Sequence, residues 1–296
     1  MSDYILSCES TIDMPYSYCV ERGLPVIFYT YAVNNESYPD DMGRDPKALP
    51  QFYEFIAQNN IPSTSQVNQF QYEEFFRDLI EKNNKDILHI VFSSGLSGSY
   101  NQAVEAAKTI NAEFPNRKVE VIDSLAASSG YGLLVDEAAD LWEGGMSFDD
   151  LSKWVYDNRN KLHHQFFSTE LKYLRRTGRI SGPTATVATA LRICPIMKIN
   201  NKGKIIAYDK AFGKKRAVEK SLDTMEKNAV DGKNYSGKVF ISHSNTLKDA
   251  EKVAAEIKER FPNVKDVRIF NIGTIIAAHT GPGTIAIFFN GNERTE

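Results

Sequence analysis

Short apolar runs rich in β-branched and aromatic residues alternate with stretches whose apolar positions recur at helical spacing through the first half of this 296-residue chain. Strands are predicted at residues 4–7, 25–33, 87–92 and 119–123. Helices are predicted from about Pro15, around 52–56 and 72–80, from the serines after Phe92 to Phe114, and over 127–142. That alternation specifies βα units and a parallel sheet. After a further helix at 151–161 the pattern changes. Short strands at 165–169, 194–200, 204–209, 238–242, 267–271 and 284–289 sit among helices at 183–192, 214–228 and 247–261. The segment Asn200-Asn201-Lys202-Gly203-Lys204 reads as a hairpin turn between two of the strands. The expected fold class is therefore α/β. An open, parallel-sheet, Rossmann-like unit (1–164) packs on an α+β unit (165–296), since no low-complexity linker separates them. No internal repeat is visible.

Composition narrows the function classes. Charged residues make up 25% and hydrophobic ones 42%, ordinary globular values, and a net charge of -3 supplies no basic face for nucleic acid. Cys8, Cys19 and Cys194 are scattered and form no CxxC pair, so neither a disulfide framework nor a thiolate zinc site is expected, and a reducing cytoplasm fits. The first ten residues lack a basic segment followed by an apolar one, so no signal peptide is expected. No apolar run approaches the roughly 18 residues of a membrane span. Neither a metal nor a cofactor is expected. Asp40, Asp41 and Asp45 lack the glutamate of a calcium loop and read as a solvated acidic turn. The GxxxxGK match at 232–238 precedes a strand and ends in Val239, which rules out a phosphate-binding loop.

The candidate chemistry gathers where parallel strands end, because open α/β sheets bind ligands at that rim. Four hydroxyl-rich segments are expected there: 8–15, 62–69, 93–99 and 123–130. One serine of the 93–99 turn is expected to cap the helix that follows, and the others form an anion site of hydroxyl and amide donors with no cation in the turn itself. The turn also approaches the G-x-S-x-G pattern of a serine hydrolase, but Ser99 stands where the last glycine belongs. Ser97 or Ser94 would then be the nucleophile and His279 the base. His89 reads as a packed core residue, His163 and His164 as solvated, and His243 as structural or functional alike. His279 precedes Gly281-Pro282-Gly283, a rigid loop; the local reading leaves open a binding role or a buried, satisfied histidine. Lys172, Arg175, Arg176 and Arg179 form a basic group, read as a solvated face or as a docking patch for an acidic partner or phosphate.

The ordered set ESTIDMP, PSTSQ, FSSGLSGSYNQA, DSLAASSGYGLLV, LRRTGRISGP and HTGPGTIAIFF spans nearly the whole chain and resembles the DegV family of bacterial fatty-acid-binding proteins. The resemblance implies a two-domain α/β protein that holds one long-chain fatty acid, such as palmitate, stearate or oleate, in a tunnel between the domains. It further implies a subunit without catalysis of its own, which presents the carboxylate to a separate ATP-dependent fatty acid kinase subunit making acyl phosphate for phospholipid synthesis. Carried across, Thr64 and Ser65, with Ser93 or Ser94, would hold the carboxylate, His279 would lie beside it, and Arg175 or Arg176 would face the kinase subunit. The chain departs from the family's more frequent residues at Glu9, where Asp is commoner, and at Thr177, where a second Gly is commoner, so no role is assigned to Glu9. A serine hydrolase of acyl esters, and a fatty acid carrier or sensor without a kinase, are the two other readings.

Overall fold

The computed structural model describes residues 3–180 and 193–296, so the helix expected at 183–192 lies outside the described residues. Strand β1 (Tyr4–Glu9) is buried at every position, Ser7 and Glu9 included, as a central parallel strand covered on both faces must be. Helix α1 (Tyr16–Glu21) leads to β2 (Val26–Ile27), which pairs parallel to β1. The stretch 25–33, expected as one strand, divides here. The Tyr29 amide donates to Ser10 Oγ at 3.1 Å instead of continuing the ladder, and the chain turns away. It continues as β3 (Thr30–Val33), which forms a small antiparallel sheet with β4 (Glu36–Pro39) and β5 (Ser63–Ser65).

Helices α2 (Ala48–Ala57) and α3 (Gln69–Asn83) follow, the latter started by a reciprocal Asn68–Gln71 capping box. Strand β6 (Asp86–Val91), α4 (Ser99–Glu113), β7 (Val119–Asp123) and α5 (Ser128–Glu143) complete a parallel sheet of order β2-β1-β6-β7. His89 is buried within β6 and meets Ser7 Oγ at 2.8 Å, in keeping with its reading as a core residue.

Helix α6 (Phe148–Asn158), capped by Ser147, delivers the chain to β8 (Leu162–Phe167). All of β8 pairs with β13 (Ile285–Asn290) inside a six-stranded mixed sheet, from Leu162 opposite Asn290 to Phe167 opposite Ile285. The other strands are β9 (Ile193–Ile199), β10 (Ile205–Phe212), β11 (Lys238–His243) and β12 (Asp266–Asn271), in the order β10-β9-β8-β13-β11-β12. The predicted hairpin joins β9 to β10, with Gly203 at φ 72° supplying its left-handed position. Helices α7 (Lys172–Arg176), α8 (Lys214–Asn228), α9 (Leu247–Arg260) and α10 (Thr274–Thr280) complete the described elements.

Alternation along this sheet splits its side chains between two cores. Phe167, Ile241 and Ile287 pack with Leu222 and Val253 of α8 and α9. Their neighbours Phe166, Phe240 and Phe288 share a core with Leu134 and Tyr131 of α5. Helix α5 is therefore covered by the parallel sheet on one side and the mixed sheet on the other, which is why eleven of its sixteen residues are buried. The same packing corrects the reading of His163 and His164 as solvated. Both lie buried on β8, where His163 Nε2 meets the Asn292 carbonyl at 2.7 Å and His164 Nε2 accepts from the Ala127 amide at 3.1 Å.

Candidate functional site

The chain segments that leave β1, β6 and β7 meet at one rim, as a parallel sheet dictates. From β1 come Glu9 and the short turn Ser10–Ile12; from β6, Phe92 and the serine turn; from β7, the segment through Ala127 that opens α5. The 62–69 segment reaches the same place differently. It arrives as β5, an edge of the small antiparallel sheet, because the chain left the parallel ladder at Tyr29. The mixed-sheet half supplies α7, β10 and α10. His279 lies on the last turn of α10, not in a loop, since Ile275, Ala277 and Ala278 give that segment a buried helical face. Gly281 ends the helix at φ 69° and ψ 179°, and a Cβ placed there would lie 2.1 Å from the Tyr173 ring of α7.

These segments enclose a cavity of about 210 Å³. Leu96, Leu174, Ile205, Ile275 and Ile276 make its apolar wall, and Thr64, Ser65, Ser97, Arg179 and His279 its polar one. Thr64 Oγ1 lies 2.9 Å from His279 Nε2. Burial lowers the His279 pKa to about 4, with Arg179 and Arg176 adding to the effect, so the ring is neutral at pH 7. Its Nδ1 is buried and has no hydrogen-bond partner among the described residues.

The predicted residues are thus brought together in part. Thr64, Ser65 and His279 share the cavity wall. Ser93 is buried beside it, its hydroxyl donating to the Gly203 carbonyl at 2.8 Å and accepting from the Gly95 amide at 3.2 Å. Ser94 is exposed, and its amide donates to Asp123 Oδ1 at 3.1 Å. The residue at the N-cap of α4 is Gly98, which has no side chain to cap with; Ser97 Oγ instead accepts from the Ser99 amide at 3.3 Å and from Ser99 Oγ at 2.9 Å. Arg175 is half-buried, while Arg176 is exposed and sits 5.2 Å from the centre of the Tyr173 ring.

Sequence reasoning did not single out Arg179 and Tyr29 as cavity residues, nor Glu9 behind the wall. Glu9 is fully buried and accepts from the Phe92 amide at 2.8 Å, from the Tyr29 hydroxyl at 3.2 Å, and from the Tyr72 hydroxyl. Burial raises its pKa to about 7 against the opposing effect of those donors. A carboxylate closing an apolar strand was the signal that could have found it. The acidic turn also differs from its reading. Asp40 is buried and accepts from Thr274 Oγ1 at 2.8 Å, while Asp45 is exposed. Among the described residues no three His, Cys, Asp or Glu side chains come together in a metal-binding group. No helix among them is long and apolar enough to cross a membrane.

A parallel sheet and a mixed sheet that share a central helix, with a half-apolar, half-polar cavity at the strand ends, define a two-sheet α/β fold. The DegV family model, described as "Uncharacterised protein, DegV family", matches residues 6–292, and the chain belongs to that family. A DegV domain-containing protein of Clostridium perfringens is 35% identical over 99% of both chains. The structure titled "Fatty Acid Binding of a DegV family Protein from Thermus thermophilus" superposes with a TM-score of 0.85 at 26% identity, covering 98% of this chain and 99% of the other. The fatty acid kinase B3 protein of Streptococcus pneumoniae, loaded with linoleic acid, has a TM-score of 0.83 over 99% of this chain and 100% of its own, and at 22% identity it speaks for the fold alone.

Proposed function

We propose that this protein binds one long-chain fatty acid between residues 1–164 and 165–296, and presents its carboxylate to a separate ATP-dependent kinase subunit without performing catalysis itself. The observation that carries this reading is the two-sided cavity: an apolar wall faces a set of hydroxyls, a neutral histidine and the Arg179 guanidinium. An alkyl chain gains about 0.8 kcal/mol for each CH2 buried, so the apolar part supplies most of the affinity. The carboxylate must still be satisfied once it leaves water, which Thr64, His279 and the serine turn can do with hydrogen bonds. Ser93 joins them if its bond to the Gly203 carbonyl opens, and Ser94 if its exposed hydroxyl turns inward. Membership of the DegV family and the fatty acid binding described for the Thermus thermophilus relative support the ligand class. The kinase step rests on the resemblance of the LRRTGR segment, with exposed Arg176 as the docking residue and Arg175 behind it.

The hydrolase reading fares worse on geometry. A serine nucleophile needs a base within reach and a group that orients the base. His279 Nε2 is bonded to Thr64, and Nδ1 meets no carboxylate among the described residues. A histidine with a pKa near 4 is also a poor base at neutral pH.

Two outcomes are expected. Native mass spectrometry of the purified protein finds one fatty acid per chain, and Thr64→Val weakens palmitate or oleate binding about ten- to a hundredfold, the worth of one hydrogen bond to a charged group. A protein that arrives empty and takes up neither acid would sink the lipid reading. Arg176→Glu leaves fatty acid binding intact and abolishes acyl phosphate formation with the kinase subunit. Undiminished turnover in that variant would instead favour a carrier or sensor without the kinase.

A further inference from the structure

A chain of hydroxyls runs from the cavity wall to a buried carboxyl. Ser97 lines the cavity and accepts from Ser99 Oγ at 2.9 Å, Ser99 Oγ lies 2.5 Å from the hydroxyl of Tyr29, which lines the cavity as well, and Tyr29 reaches Glu9 Oε2 at 3.2 Å. Each hydroxyl carries a single proton, so the state of Glu9 dictates the direction of the whole chain. With Glu9 ionised, Tyr29 donates to it. Ser99 must then turn its proton from Ser97 to Tyr29, and the Ser97–Ser99 bond survives only if Ser97 becomes its donor. Ser97 is left presenting lone pairs to the cavity, which repel an anion. With Glu9 protonated, the Phe92 amide and Tyr72 still donate to the carboxyl, and the added proton points from Oε2 to Tyr29. Tyr29 turns its proton to Ser99, Ser99 to Ser97, and Ser97 aims its own into the cavity.

We infer that the protein takes up a proton at Glu9 when a carboxylate binds, the Tyr29–Ser99–Ser97 chain turning Ser97 into a hydrogen-bond donor for the ligand. This rests on the fatty-acid reading above and adds to it a positioning role for Glu9. One proton enters from solvent, no covalent bond other than O–H forms or breaks, and the negative charge gained with the ligand is offset by the one lost at Glu9. Burial makes this switch available near neutral pH, since it holds the Glu9 pKa at about 7. The titratable groups that face Glu9 are Tyr29 ahead of β3, Tyr72 of α3, Tyr131 of α5 and Cys8 of β1; burial raises the pKa of the three tyrosines, and the Cys19 hydrogen bond together with burial raises that of Cys8, so all are neutral in this range. On the cavity side stand His279, Arg179 and Arg176.

The sign follows from linkage. A carboxyl that must be protonated in the complex binds well below its free-protein pKa and progressively worse above it. Affinity for decanoate, which is ionised from about pH 6 to 8.5, is expected to be about tenfold lower at pH 8 than on the acid plateau. Calorimetric titration in two buffers of different ionisation enthalpy reads the protons directly. Uptake should rise from near none at about pH 6 to near one at about pH 8.5. Glu9→Gln and Tyr29→Phe should each remove both the uptake and the pH dependence. Tyr29→Phe keeps the ring and the other Glu9 donors, so it remains informative if Glu9→Gln does not fold. Decanoate binding without proton uptake overturns the relay and leaves the lipid reading standing. Uptake that survives Tyr29→Phe and vanishes in His279→Gln assigns the proton to the histidine and also overturns it. A wild-type protein that binds neither decanoate nor oleate refutes the lipid reading and the relay with it.

Discussion

Asp136→Ala is expected to destabilise the protein by about 3 kcal/mol, read as a lower denaturant midpoint with unchanged slope. Asp136 lies on α5 with its side chain almost wholly buried, where it accepts from the Tyr18 hydroxyl at 2.6 Å and pairs with Lys238 of β11. Arg22 and Arg268 approach the same carboxylate at 3.5 and 3.4 Å. Removing one partner of a buried ion pair strands the other in a place that water reaches poorly, and that desolvation cost is typically about 3–5 kcal/mol. The lower end applies because Lys238 keeps Asp140, itself half exposed, at 2.5 Å. Since the pair is buried, raising the salt concentration should change the wild-type midpoint little. A loss below about 1 kcal/mol would mean that Lys238 escapes to solvent when Asp136 is gone, the behaviour of a surface pair. The interaction joins the central helix to the mixed sheet, so the variant should also loosen the seam that carries the cavity.

Gly281→Ala is expected to do comparable damage closer to the site. Glycine stands there in a backbone region, φ 69° and ψ 179°, that side chains rarely adopt. Its missing Cβ leaves room for the buried Tyr173 ring, which a methyl group would meet at 2.1 Å. Backbone strain of about 1–3 kcal/mol and overpacking of a similar size add, giving about 2–6 kcal/mol in stability. The displacement would fall on α7 and on the end of α10, so His279 and Arg176 would move together. Fatty acid binding and transfer to the kinase subunit should both fall, whereas Arg176→Glu should impair transfer alone. A Gly281→Ala protein with wild-type melting and affinity would show that α7 shifts freely, and the tight seating of Tyr173 would then have no bearing on the site.

Much of this was legible along the chain, for a physical reason. The βα alternation of the first half follows from apolar runs and helical spacing, which are local quantities, and the hairpin at Gly203 follows from turn chemistry. The resemblance of the PSTSQ and HTGPG segments put Thr64, Ser65 and His279 together, and the three share one cavity wall. The misreadings share a cause too. Residues 25–33 look like a single strand, and only the Ser10 hydroxyl, nineteen positions upstream, diverts the Tyr29 amide. His163 and His164 follow a charged helix, yet they enter a strand buried between two cores. Asp40 belongs to an acidic cluster in the sequence and is buried against Thr274 in the fold.

The sequence by itself determined the class of fold, the family and several of the segments that line the cavity, since periodicity, turn residues and ordered motifs are written in neighbouring positions. Tertiary structure alone decided which hydroxyls face the cavity, which histidines are buried, and that Glu9 stands at the end of a hydroxyl chain. Those properties depend on burial and on partners up to 215 residues apart, as between Thr64 and His279, and burial sets both the direction of a hydrogen bond and the pKa of an acid.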